Sequence, residues 1–301
     1  MDIAGIRSEY RRATLDEIVT QFPDKRYNVE IKDGTPGADA LAAYIASHGP
    51  ADRWVVVRAI AYSGLPDWKF LLYHYAPQVP GRRVMIERHL RRVRPDWTDR
   101  ELRRAVAESF DSYTRYWVES FRLPHLAPKV VEAGFRADGY NHIVEGLKHG
   151  NGVILALPHL GGWEWAGRWM TIQGHRLTVV VEQLENEELF EWFKGLRSEL
   201  GMTVVPVGPE AAGAIAKALK ANEVVCLLCD RDIQGGGVEV EFFGERTTIP
   251  GGPAMLSLRT GAPVLPVAVY FERRYNGHFA IVRPPLSSER TDAGLRADVA
   301  R

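Results

Sequence analysis

Cysteine is scarce. Cys226 and Cys229 are the only two among 301 residues, too few for a scaffold built on disulfides. No apolar run reaches the roughly 18 residues of a membrane-spanning helix, so none is expected. The opening MDIAGIRSEYRR has no apolar h-region, so no secretory signal is expected and the compartment reads as the cytosol or its membrane surface. Neither sign of charge dominates: 38 Lys+Arg stand against 38 Asp+Glu, a formal net charge of +0. That excludes a nucleic-acid binder working by overall basicity and leaves only local patches. No His/Cys spacing suggests a metal site. No G-x-S-x-G elbow is present, which disfavours a serine hydrolase. There is no internal repeat and no low-complexity tract. What remains is ordinary globular material, 46% hydrophobic, 25% charged and 10% aromatic. It is long enough to bury a sizeable core as one large domain or two.

Residues 1–52 read as a small α/β unit. Thr14 and Glu17 form a capping box at the start of a helix, Tyr27–Ile31 alternates like a short strand, and ALAAYIASHG is a helix closed by Gly49. From about residue 60 a helical lead-in follows. Trp68–Tyr75 is amphipathic, residues 81–94 form a basic helix stopped by Pro95, and Thr98 with Glu101 caps a long helix running to about Leu123. Strands and helices then alternate to about residue 284. VILALPH, LTVVVEQ, TVVPV, VVCLLCD, VEVEFF, VLPVAVYF and HFAIVRP read as strands, with helices between. This pattern predicts an α/β fold: a central, largely parallel sheet flanked by helices, with the helical lead-in and the small N-terminal segment before it.

The segment GVILALPHLGGWEWAG carries the most chemistry. Val153–Leu157 is a continuous apolar run, as expected of a strand covered on both faces. It ends at Pro158-His159, Gly161-Gly162 makes a turn, and a helix starts near Trp163. Polar groups at the carboxyl end of such a strand sit where α/β proteins bind ligands. His159 and Glu164 would lie about 140° apart on one continuous helix and would not meet. Across a strand–diglycine–helix corner they can. A carboxylate holding one imidazole nitrogen leaves the other as a base, which suits activation of an alcohol against an acyl carbonyl. The same residues fit a histidine satisfied by a backbone carbonyl, with Glu164 only a helix N-terminal charge. Spacing alone leaves both readings open.

The order of motifs resembles a known family. PHLGGWEWAG is similar to the His-x₄-Asp/Glu signature of the lysophospholipid acyltransferase superfamily. Its bacterial branch of lipid A lauroyl/myristoyl and phosphatidylinositol mannoside acyltransferases is the nearer likeness. LTVVVEQLENEELFEWFKGLRSELGMTVVPV, with Glu182 and Arg197, resembles that branch's second block. VVCLLCDRDIQGGGVEVEFFGERTTIPGGPAMLSLRTGAPVLPV, with Asp230-Arg231-Asp232 and Phe242-Phe243-Gly244, resembles the third. The likeness covers roughly residues 64–285. It implies the acyltransferase fold over residues 60–301, truncated at its carboxyl end. It also implies fatty acyl transfer from acyl-CoA, the donor substrate, with no other cofactor and no metal. The acceptor is a membrane glycolipid, most closely a mannose of phosphatidylinositol mannoside, because Asp-Arg-Asp is similar to that sub-branch; a lipid A-type acceptor is the alternative. His159 is then the general base and Glu164 its orienter. Glu182 and Arg197 shape the acceptor or thioester pocket, and Asp230, Arg231 and Asp232 close the site. Donors for the oxyanion come from N–H groups near Gly161-Gly162 or from Arg197. Arg231 reads equally as a structural ion pair, and Gly235–Gly237 as a plain hairpin turn.

Nine Arg stand against four acids over residues 82–104. Beside the Trp68–Tyr75 helix they suit an anionic membrane surface, at the cytoplasmic face of the plasma membrane; no nucleic-acid motif accompanies them. A solvated helix face is the plainer reading. Cys226 and Cys229, three apart in a strand, face opposite sides and cannot form a local redox pair. Trp163, Trp165, Trp169 and Trp192 line a groove or fill the core. His125, His175 and His278 have no partner pattern and read as surface or loop residues. Residues 1–55 resemble a fragment of a glycerophosphodiester phosphodiesterase, with Glu30 and Lys32 matching its Glu-x-Lys strand. Its other ligands are absent, so the fragment is expected to be silent. An active phosphodiesterase and a non-catalytic lipid-binding remnant are the remaining alternatives.

Overall fold

The computed structural model describes residues 27–31, 54–58, 80–182, 187–232, 235–274 and 276–287. They fall into two compact units, one running to Val118 and one from Glu119. The expected N-terminal helices, the Trp68–Tyr75 helix, Lys32 and the polar tail lie outside the described residues.

In the first unit, β1 (Tyr27–Ile31) pairs in parallel with β2 (Trp54–Arg58). The basic run forms α1 (Pro80–Val93), and α2 spans Asp99–Arg122. Pro95 separates the two helices, since it has no N–H to continue the ladder and its ring disfavours a helical backbone at the preceding residue. The expected capping box is present. Glu101 Oε2 accepts from the Thr98 N–H at 2.8 Å, and Thr98 Oγ1 accepts from the Glu101 N–H at 3.4 Å. Leu102, Val106 and Phe110 recur every fourth residue and are buried, an apolar stripe along the first half of α2.

The second unit takes the last turn of α2 and is built on one seven-stranded sheet. Along the chain come α3 (Pro128–Gly134), β3 (Phe135–Asp138), α4 (Tyr140–Leu147), β4 (Val153–Leu157), α5 (Trp163–Ile172), β5 (Leu177–Val181), α6 (Glu187–Glu199), β6 (Met202–Pro206), α7 (Ala211–Lys220) and β7 (Val224–Leu228). Beyond them are β8 (Val238–Phe242), β9 (Glu245–Ile249), α8 (Gly252–Thr260), β10 (Val264–Phe271) and β11 (His278–Val282). The sheet order is β3-β11-β10-β4-β7-β5-β6. Only the β10–β11 pairing is antiparallel. The α/β expectation therefore holds.

Burial explains the apolar runs. Ile154, Val205, Val225 and Leu227 pack with Ala211, Ile215 and Leu219 of α7. Alternation then turns Val153, Leu155 and Val224 to the other face. Gly167 of α5 lies against Leu177 and Met202, residues of opposite parity to Val180 and Val205, so α5 covers that second face. Two features were not anticipated. Phe135–Asp138 is an edge strand whose polar FRAD sequence gives no apolar run. VEVEFF does not join the sheet but pairs with Glu245–Ile249 as a separate hairpin. Its two-residue turn, Phe243-Gly244, has φ of 49° and 76°, the mirror-image turn that matches strand twist.

Candidate active site

Two neighbouring strands run in step. β4 and β7 are parallel, with Val153 opposite Val224 and Leu157 opposite Leu228. The ladder carries on past the last pair, as the Cys229 N–H donates to the Leu157 carbonyl at 2.9 Å. Two residues beyond Leu157 and Leu228 stand His159 and Asp230, and equal register brings them together. Asp230 Oδ1 lies 2.7 Å from His159 Nδ1, and Oδ2 accepts the His159 backbone N–H at 3.2 Å. A carboxylate only accepts, so Nδ1 carries a proton, and the neutral form of the ring has its lone pair on Nε2. Each side chain is 35% exposed. The Trp163 indole meets the imidazole edge-on at 5.4 Å.

This geometry corrects the pairing expected from the sequence. Glu164 does not hold His159. It lies in the first turn of α5, 3% exposed, and its Oε1 accepts from Arg197 Nε at 3.1 Å and Nη2 at 2.6 Å. Arg197 sits in the last turn of α6, where a cation suits the helix end, and stacks over Phe193 four residues earlier, 5.2 Å from the ring centroid. Glu164 and Arg197 thus form a buried pair joining α5 to α6.

The remaining acidic residues separate from one another. Arg231, sequence neighbour to Asp230 and Asp232, reaches Glu182 at the end of β5, 2.8 Å away and exposed. Asp232 turns to the glycine loop and the hairpin. Its carboxylate accepts the Gly237 N–H at 2.9 Å. Together with the Thr248 hydroxyl and the Gly235 N–H, this holds its pKa below the ordinary carboxylate value. Burial pushes both cysteine thiols up to about 12, so neither is a ready thiolate. Trp165 is core, 1% exposed; the side chain of Trp192 lies outside what is described. His278 corrects another expectation, for it is fully buried.

An imidazole poised by a carboxylate at the carboxyl end of a parallel sheet is the geometry of a general base. The model of the bacterial lipid A biosynthesis acyltransferase family matches residues 54–300. The chain belongs to that family. Within it, the chain is similar to a Mycobacterium tuberculosis protein named phosphatidylinositol mannoside acyltransferase, 41% identical over 174 residues, 56% of this chain and 55% of that protein. A Mycolicibacterium smegmatis protein of the same name is 35% identical over 243 residues, 78% of each chain. The chain spans about half the length of the Mycobacterium tuberculosis relatives it matches. The family likeness read from the motifs is thereby confirmed.

Proposed function

We propose that the protein moves a fatty acyl chain from acyl-CoA to a hydroxyl of a membrane glycolipid, most specifically a mannose of phosphatidylinositol mannoside. The observation that carries the reading is the His159–Asp230 pair at 2.7 Å. Nε2 takes the acceptor's hydroxyl proton as its oxygen attacks the thioester carbonyl. N–H groups at the Gly161-Gly162 turn receive the oxyanion in this reading. The intermediate collapses with cleavage of the C–S bond, and Nε2 returns the proton to the departing thiol. Asp230, not Glu164, orients the base. Glu164 and Arg197 act one layer below, fixing α5 and so the corner that presents His159. The mannoside acceptor follows the names of the two relatives.

A membrane surface is the natural place for such an acceptor. The α1 helix supports it, with Val84 63% and Met85 49% exposed among Arg82, Arg83 and Arg88. An apolar strip inside a basic helix suits the interface of an anionic bilayer. No helix among the described residues is long and apolar enough to cross a membrane. The test is acyl transfer from radiolabelled acyl-CoA to phosphatidylinositol mannoside, to lipid A precursors and to water, with and without chelator. Label in the mannoside supports the reading. Label in lipid A precursors alone transfers the enzyme to the other sub-branch. Metal-dependent release of glycerol phosphate with no acyl transfer, or liposome binding without turnover, contradicts it.

A further inference from the structure

Beneath the diglycine corner lies a second imidazole–carboxylate pair. His278, the first residue of β11, is 0% exposed. Its Nε2 lies 2.7 Å from Oε2 of Glu119, in the last turn of α2, and its Nδ1 lies 3.1 Å from the Asn276 carbonyl. A carbonyl only accepts, so Nδ1 carries a proton. Nε2 then either donates to a carboxylate or accepts from a carboxylic acid. In each arrangement one further proton is shared between His278 and Glu119 and the pair is neutral. Losing it would set a nitrogen lone pair against an anionic oxygen away from water.

The ring is fixed on all sides. Its face stacks on Trp165, centroids 4.4 Å apart and 22° from parallel. Trp165 follows Glu164 directly on α5. The ring edge presses on Gly162, where an added Cβ would lie 2.6 Å from His278 Cδ2 and 2.7 Å from Nε2. Gly161, at φ +63°, leaves no room for a Cβ against the Val269 carbonyl of β10. The corner that ends β4 and starts α5 therefore rests on His278 and on β10.

We propose that the His278–Glu119 pair is a prop that sets the height of the Gly161-Gly162 corner, making His278 a positioning residue for His159. The proposal rests on the acyl-transfer reading above. His278 touches no reacting atom in this role. It acts through a corner three residues from the base, where a displacement of about 1 Å costs about 100-fold in rate.

The test compares thioester turnover per folded molecule in wild type, His159→Ala, His278→Phe, Glu119→Leu and Glu119→Gln. His278→Phe keeps the stack on Trp165 and removes both ring hydrogen bonds. It should lower kcat about 10- to 100-fold and leave the acyl-CoA KM little changed, the pattern of a lost transition-state contact. Glu119→Leu gives the same split should His278→Phe fail to fold. Glu119→Gln restores kcat, because its amide donates to Nε2 of a neutral ring that still donates from Nδ1. Wild-type kcat in His278→Phe or Glu119→Leu, or a loss confined to KM, overturns the prop. Equal turnover in wild type and His159→Ala overturns the acyl-transfer reading instead.

Discussion

Two imidazole–carboxylate pairs in this molecule share a separation of 2.7 Å and differ in nearly everything else. His159 and Asp230 stand at the carboxyl ends of adjacent parallel strands, each 35% exposed. His278 and Glu119 are sealed in the interior, 0% and 8% exposed. In the open pair Asp230 ties Nδ1 and the side chains are partly exposed, so a proton could arrive and leave through Nε2. In the closed pair both ring nitrogens meet oxygens and the ring is shut off from solvent. The distance is common to both pairs; in the proposed mechanism it is the second nitrogen of His159 that acts as the base. The two ion pairs of the site repeat the lesson, with Glu164–Arg197 buried and Glu182–Arg231 exposed.

Each contrast can be broken by substitution. Asp230→Asn offers an amide donor to Nδ1, puts the proton on Nε2 and removes the base. Acyl transfer should fall about 10²–10⁴-fold, with little change in melting temperature, since both groups are partly solvated. Glu164→Ala should instead act on stability, lowering the unfolding free energy by about 3–5 kcal/mol because Arg197, largely buried, loses the carboxylate it meets at 2.6 Å. Urea denaturation measures this. Replacing Glu164 and Arg197 together by Met should recover most of that loss. Asp232→Asn tests the loop latch through pH. The folded pKa of Asp232 lies below its ordinary 3.8. Its contribution is therefore complete above that value and is lost as pH falls through the folded pKa. The variant should unfold less steeply in acid below about pH 4. Glu182→Gln should cost at most about 1 kcal/mol, the range of an exposed ion pair.

Local signals were read correctly where the physics is local. The Thr98–Glu101 capping box, the apolar runs of β4, β5 and β7 and the diglycine corner all stand in the structure as the sequence implied. The partner of His159 was not legible. It lies 71 residues away, and only the order β4-β7-β5 brings it close. Sequence distance favoured Glu164, five residues off, but the helix start turns that carboxylate inward to Arg197. The β8–β9 hairpin was missed because its alternation matches a sheet strand, and nothing local says which partner it takes. His278 did leave a signal. In HFAIV the residues His278, Ala280 and Val282 share the buried face of β11, so period-two alternation placed the imidazole inward with them.

The most direct test is thioester consumption by wild type and His159→Ala, each normalised to folded protein, with phosphatidylinositol mannoside as acceptor. The account predicts a loss of about 10²–10⁴-fold in the variant with an unchanged melting temperature. Turnover at the wild-type rate in His159→Ala would contradict it.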